Sequence, residues 1–268
     1  MTHIADLFKL NGKVALITGG GKGLGYFAAE GLAEAGADIA ICGRDIHGKL
    51  DSAVEKLKEI GRNCIAIKCD VTKEEDVKQM ANVMKENYGK CDILVNNAGI
   101  SDVAPAKTYS LKRWKEIIDT NITGTFLCCR EIGKMMIRQK SGSIINISSL
   151  NGQSGASFAT GFAAYATSKV GIIGLTRTLA VEWGKYNIRV NAILPGDMEE
   201  GMMEFLQDKE NMMYKNFGLP LLKITPLKRF GSGDDIKGAV VFLASKAGSY
   251  ITGEKILVDG GITINVGV

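Results

Sequence analysis

Tyr165 and Lys169 stand four residues apart in the run Tyr165-Ala166-Thr167-Ser168-Lys169. On a helix, that spacing puts both side chains on one face. A free phenol ionises near ~10 and is a poor proton donor at neutral pH. An ammonium about 4 Å away, in an effective dielectric of ~20, contributes about 4 kcal/mol. That is roughly three pK units, which brings the phenol towards ~7. A phenol tuned in this way donates a proton to a carbonyl oxygen or accepts one from an alcohol. Taken alone the pair is a weak signal, since a surface Tyr beside a Lys is the commoner fate of such a spacing. The chain has only two histidines, His3 and His47, at no metal-like spacing. This leaves no multi-His metal site and argues against a Ser-His-Asp triad. Acid–base work falls to Tyr, Lys, Asp, Glu or Cys, and no metal is expected.

A second candidate is the run Thr18-Gly19-Gly20-Gly21-Lys22-Gly23-Leu24-Gly25. It follows an apolar strand pattern and opens a helical one. Glycines there let the backbone turn sharply and approach a pyrophosphate resting on the helix N-terminus. Its position between strand and helix favours that reading over a plain structural turn.

Both candidates sit on a regular alternation. Val14–Thr18, Asp38–Cys42, Cys64–Lys68, Ile93–Asn96, Ser143–Ser148, Arg189–Leu194 and Lys255–Val258 read as short strands, almost wholly apolar, as parallel strands covered on both faces are. Helical patterns fall between them at about Leu24–Ala35, Lys49–Ile60, Glu74–Tyr88, Leu111–Gln139, Ala163–Lys185 and Asp234–Ser245. Thr72 with Glu75 reads as a helix cap. The alternation predicts α/β architecture: a single doubly wound Rossmann-type domain over residues 1–268, with a seven-stranded parallel sheet. Pro195–Gly231 breaks the rhythm and holds half of the ten methionines. It reads either as a pliable lid over a pocket after strand six or as one or two helices packed on the sheet.

Composition narrows the class. Hydrophobic residues make up 46% and charged residues 23%, with a net charge of +4. This is a globular composition with no basic excess that would argue for nucleic acid or an anionic membrane. The six cysteines form no CxxC pair and mostly lie in apolar runs, so they read as reduced structural thiols. With no signal-peptide pattern at the start and no apolar run of membrane-spanning length, a cytoplasmic protein is expected.

The glycine pattern is TGxxxGxG, and it resembles that of the short-chain dehydrogenase/reductase family. The resemblance extends over nearly the whole chain: Asn96-Asn97-Ala98-Gly99 after the fourth strand, Asn121 in the long helix, Ser148-Ser149 after the fifth strand, Tyr165 with Lys169, Pro195-Gly196 after the sixth strand, and Val258-Asp259-Gly260-Gly261 near the end. It implies a catalytic set of Asn121, Ser149, Tyr165 and Lys169. Ser149, rather than its neighbour Ser148, would polarise the substrate oxygen. Asn121 would position a water leading to Lys169, and Lys169 would also bond the nicotinamide ribose. It further implies a dinucleotide held by Thr18, Gly19, Gly21, Lys22, Gly23, Leu24, Gly25, Arg44, Asp70, Val71, Asn97, Ala98, Gly99, Tyr165, Lys169, Pro195 and Gly196. Asp70 has a rival role as a helix cap.

Gly43 stands where NAD-preferring relatives carry an Asp. Arg44 and Lys22 could grip a 2′-phosphate, with Asp45 weakly opposed, so NADP(H) is favoured and NAD(H) is the alternative. Two departures concern the substrate. Ser149 and Tyr165 are further apart than in close relatives, and the extra length in Gly152–Phe162 would shape the pocket. Asp197-Met198-Glu199-Glu200 follows Pro195-Gly196 where relatives commonly place a Thr. The expected activity is reduction of a ketone or oxidation of a secondary alcohol. The opening, the stretch Thr225–Gly231 and the tail resemble gluconate 5-dehydrogenases and other sugar or polyol enzymes, and the same stretches also resemble 3-oxoacyl-carrier-protein reductases. The alternatives are 3-oxoacyl or hydroxysteroid reduction and, outside catalysis, a dinucleotide-sensing protein. The resemblance also implies a homotetramer pairing the helices near Leu111–Gln139 and Ala163–Lys185, with Cys128, Cys129 and Trp183 as candidates for the shared surface.

Overall fold

A computed structural model describes residues 2–154, 160–200 and 203–265. Parts of three segments singled out above therefore lie outside the described residues: Gly155–Ala159 of the extra loop, Gly201 and Met202 of the segment after strand six, and 266–268 of the tail. In chain order the sheet and its covering helices run β1 Val14–Thr18, α1 Gly23–Glu34, β2 Asp38–Gly43, α2 Asp51–Glu59, β3 Cys64–Lys68, α3 Glu74–Tyr88, β4 Ile93–Asn96, α4 Leu111–Ile118, α5 Gly124–Gln139, β5 Gly142–Ile147, α6 Leu150–Ser154, α7 Ala163–Trp183, β6 Ile188–Pro195, α8 Leu219–Ile224, α9 Gly233–Ala244 and β7 Lys255–Val258. The strands form one parallel sheet in the order β3-β2-β1-β4-β5-β6-β7.

Strand side chains alternate between faces, and each face meets its own helices. Ala15, Ile17, Ile39, Ile41, Val95 and Ile145 pack with Leu32 of α1 and Ile236, Val240 and Leu243 of α9. Leu16, Ala40, Leu94, Ile144 and Val190 pack on the other face with Met80 of α3, Cys128 and Ile132 of α5, and Trp183 of α7. This is why the strands read as continuous apolar runs, since neither face meets water. All six cysteines are free and buried.

Three expectations change. The pattern Leu111–Gln139 is not one regular helix, because a wide turn over Asp119–Thr123 joins α4 to α5 and carries Asn121. Such single wide turns mark places where a helix re-aims a side chain. Thr72 does not cap α3. The charged Asp70 carboxylate outcompetes it, with Asp70 Oδ1 accepting from both the Thr72 N–H and its hydroxyl, so the helix starts after Lys73. Cys128, Cys129 and Trp183 are 1%, 0% and 7% exposed within a single chain, so they are spent on its core and are not available for a shared surface. The exposed apolar side chains of those helices are Leu111, Phe126, Val170 and Val181.

The chain order reverses between β1 and β4, the place where open parallel sheets bind ligands. There Thr18 pairs with Asn96, and the two strand ends are laced together. Thr18 Oγ1 accepts from the Asn97 and Ala98 N–H groups, both at 3.0 Å. Asn97 Nδ2 donates to the carbonyls of Thr18 and Gly19 at 3.1 and 3.2 Å. Asn97→Ala unties the glycine turn from β4, and loss of these bonds is expected to cost about 1–3 kcal/mol. Urea unfolding measures this directly; an unchanged midpoint would show that the lacing carries no load.

Candidate active site

The parallel register gathers the candidate residues along one sheet edge, because every strand ends there. The glycine turn leaves β1, Arg44 leaves β2, Asp70 leaves β3, Asn97-Ala98-Gly99 leave β4, Ser148-Ser149 leave β5 and Pro195-Gly196 leave β6.

On the substrate side, burial decides the roles of two adjacent serines. The Ser148 hydroxyl donates to the Lys169 carbonyl at 2.8 Å and ties β5 to α7. The Ser149 hydroxyl hydrogen-bonds the Tyr165 phenol and also accepts from the Asn151 N–H at 3.2 Å. Lys169 is 4% exposed, and its Nζ donates to the Ile147 carbonyl at 2.8 Å and lies 5.5 Å from the Tyr165 ring centre. Burial pulls its ammonium down to about 8. Phe162 meets the Tyr165 ring edge-on, with centres 6.2 Å apart.

The expected lowering of the Tyr165 phenol is not found in the chain alone. Burial pushes it above its ordinary value, and the Ser149 hydrogen bond pulls in the opposite direction. The ammonium points at a backbone carbonyl rather than the phenol oxygen, so the direct contact assumed from the spacing does not form.

Asn121 is fully buried, and its amide is engaged on both sides. Oδ1 accepts from the Ile100 N–H at 2.9 Å, while Nδ2 donates to the Ile100 carbonyl and to Ser168 Oγ at 2.9 and 3.0 Å. It thereby clamps the chain leaving β4 against α7. A Cβ on Gly99 would stand 3.3 Å from Asn121 Oδ1 and 3.7 Å from Lys169 Nζ, so these three residues converge.

On the other side lies a cradle. Gly19 has φ +65°, a left-handed conformation that favours glycine. A Cβ on Gly25 would stand 2.4 Å from Asn97 Nδ2, so only glycine lets α1 start so close to β4. Helix α1 begins after Lys22 with no side-chain cap and no acidic residue in its first turn, which leaves its first N–H groups for an anion. Beside it is a cleft of about 520 Å³ lined by Gly21, Lys22, Gly23, Tyr26, Asp45, Lys49, Ser52 and Lys56, among others. Arg44 is exposed nearby. Lys49, Ser52 and Lys56 were absent from the residues singled out by motif. Their spacing of three and four places them on one face of the helical pattern Lys49–Ile60, and that periodicity was the available signal. Val71 packs against Gly124, Leu24 against the core beneath α1, and Gly196 against Asp259.

The described part of the segment after β6 forms short helices over a cluster of Leu206, Tyr214 and Phe230, with Met212, Met213 and Phe217 exposed. Among the described residues, no His, Cys, Asp and Glu grouping could hold a metal ion. No helix among them is long and apolar enough to cross a membrane.

A family model described as enoyl-(acyl carrier protein) reductase matches residues 19–263. The chain is 35% identical to the 2-dehydro-3-deoxy-D-gluconate 5-dehydrogenase of Formosa agariphila, covering 98% of this chain and 97% of that one. It is 38% identical to a 3-oxoacyl-[acyl-carrier-protein] reductase of Staphylococcus epidermidis, covering 93% and 98%. Among solved structures, a gluconate 5-dehydrogenase from Burkholderia cenocepacia, crystallised with NADP and tartrate, superposes with a TM-score of 0.89 at 34% identity, covering 98% and 100%. The chain belongs to the short-chain dehydrogenase/reductase family of oxidoreductases, and it is an enzyme acting on CH–OH groups.

Asp197 provides a test of the site's electrostatics. Burial, reinforced by the charge of Asp259, pushes its carboxyl from 3.8 up to about 6. The folded chain therefore holds this proton more tightly than the unfolded chain. Stability is full below the unfolded value and is lost as pH rises through about 6, a difference of roughly 3 kcal/mol. Asp197→Asn is expected to be the more stable protein at pH 8, with the gain shrinking as pH approaches 4. Urea unfolding across that range checks it, and a gain independent of pH would contradict it.

Proposed function

We propose that the protein is an NADP(H)-dependent oxidoreductase that moves a hydride between nicotinamide and a ketone or secondary alcohol. The observation that carries this reading is the Ser149 hydroxyl bonded to the Tyr165 phenol, with the buried Lys169 ammonium beside the ring. The cradle residues fit a dinucleotide: the α1 N-terminus would take its pyrophosphate, and Lys22 with Lys49 and Lys56 would take a 2′-phosphate. When bound, NADPH supplies the hydride. Ser149 orients the carbonyl oxygen, Tyr165 delivers the proton to it, and Lys169 supplies positive charge that favours the phenolate left behind. Asn121 acts as a positioning residue, holding the chain after β4 against the Lys169 helix.

A sugar acid or polyol is the substrate class we favour from similarity, since the sugar-acid dehydrogenases cover 98% of this chain and the acyl-carrier relative 93%. Acyl reduction is the second reading, favoured by the 38% identical acyl-carrier relative and by the exposed Met212, Met213 and Phe217.

Tyr165→Phe is expected to fold and bind NADPH but to lose about 10²–10⁴-fold in turnover. Near-normal turnover in the folded variant overturns the proton-transfer role. For the cofactor, Lys22→Ala or Arg44→Ala is expected to weaken NADPH by about 10- to 150-fold while leaving NADH nearly untouched. A Cβ on Gly43 meets only ordinary contacts with Leu50, so Gly43→Asp with Arg44→Ala is expected to fold and to favour NADH. These effects are read as kcat/KM for both cofactors at fixed ionic strength. A wild type that already prefers NADH would refute the assignment.

A further inference from the structure

The segment that leaves β4 is tied to the start of α7 at two places, one on each side of Tyr165. At Ile100 the tie runs through Asn121, whose Nδ2 donates to both the Ile100 carbonyl and Ser168 Oγ, and Ser168 Oγ donates in turn to the Tyr165 carbonyl at 2.7 Å. At Ala104 the tie is direct: its N–H donates to the Gly161 carbonyl at 3.0 Å. Gly161 has φ +95°, and a Cβ there would stand 3.0 Å from Val103 Cγ1 and 3.2 Å from the Ala104 backbone, so this close approach favours glycine. Phe162 comes next in the chain. Its carbonyl accepts from the Ala166 N–H at 2.8 Å, and its ring meets that of Tyr165 edge-on. Ser101, Asp102 and Val103 therefore span from one tie to the other, past the turn of α7 that carries Tyr165.

Arg113 of α4 grips the middle of that span. Its Nε donates to Asp102 Oδ2 at 3.0 Å and its Nη2 to the Ser101 carbonyl at 3.4 Å, while Nη1 donates to Glu116 Oε2 at 2.8 Å. Asp102 Oδ1 accepts from the Val103 N–H at 2.9 Å, so the carboxylate that Arg113 holds also shapes the loop. A planar guanidinium fixes several acceptors in set directions, which an ammonium does not. The Arg113 and Asp102 side chains are both 37% exposed, so their ion pair adds little to stability. What it supplies is direction. We propose that Arg113 is a positioning residue for the proton transfer: through Ser101–Ala104, Gly161 and Phe162 it holds the Tyr165 phenol at the angle from which the proton is delivered. This inference rests on the proposed hydride transfer and adds to it a residue that acts through others.

The test uses the full-length protein with NADPH and whichever of 5-keto-D-gluconate and acetoacetyl-CoA the wild type reduces faster. Arg113→Met keeps the aliphatic stem and loses the guanidinium. It is expected to lower kcat about tenfold, a part of what a misplacement of about 1 Å costs, with NADPH affinity within about twofold of wild type. Slower proton delivery also raises the solvent deuterium isotope effect on kcat, whereas a smaller folded fraction lowers kcat and leaves that ratio unchanged. Asp102→Asn is expected to lower kcat as well, and the double variant to lose no more than Arg113→Met alone, because both break one link. Glu116→Gln removes the partner that lies outside the span and is expected to stay within about twofold of wild type. The inference is overturned if Arg113→Met keeps the wild-type kcat, if kcat falls with an unchanged isotope effect, or if Glu116→Gln loses as much as Arg113→Met. A wild type that oxidises NADPH with neither probe removes the hydride-transfer reading and this inference with it; an active wild type with unmoved variants removes the inference alone.

Discussion

One buried ammonium organises this site. Lys169 sits almost wholly out of water, and its Nζ donates to the carbonyl of Ile147. A charge in that position is expensive unless it is paired or loses its proton, and the fall of Lys169 to about 8 is the visible consequence. The surrounding structure is arranged around that constraint. Ser148 fixes the turn of α7 that carries the lysine, Asn121 and Gly99 close over it, and Tyr165 lies one helical turn away with its phenol on Ser149. A site poised in this way has a half-buried proton donor and, beside it, a positive charge shielded from bulk water.

The same economy appears at the β1–β4 edge. Thr18 and Asn97 spend their polar groups on each other's backbone rather than leaving them for a ligand. The donors left for a ligand are then the first N–H groups of α1, which no side chain caps, together with the lysines of the adjacent cleft. The glycines matter because α1 must begin close against β4.

Much of this was legible in the sequence. The strands, covered on both faces, leave apolar runs whose limits match the observed ones to within a residue or so, and strand–helix alternation gave a parallel, doubly wound sheet but not its strand order. The paired positions of Tyr165 and Lys169 followed from helical spacing. What spacing could not convey was direction. It brought Lys169 near the phenol but could not show that its ammonium turns to Ile147, or that burial raises Tyr165 while lowering the lysine. Nor could it show that Cys128, Cys129 and Trp183 face inward, because both faces of those helices carry apolar residues. Thr72 lost its capping role to a charged competitor two residues earlier.

The central claim is that a buried lysine and a half-buried tyrosine form one proton-handling unit, and the lysine can be observed directly. The ε-methylene resonance of Lys169, assigned by comparison with Lys169→Met and followed by NMR from pH 6 to 11, reports its ionisation in the cofactor-free protein. A midpoint near 8 is expected from its burial. A midpoint at the ordinary value of about 10.4 would mean that the ammonium is solvated, and the account of the site would fail with it.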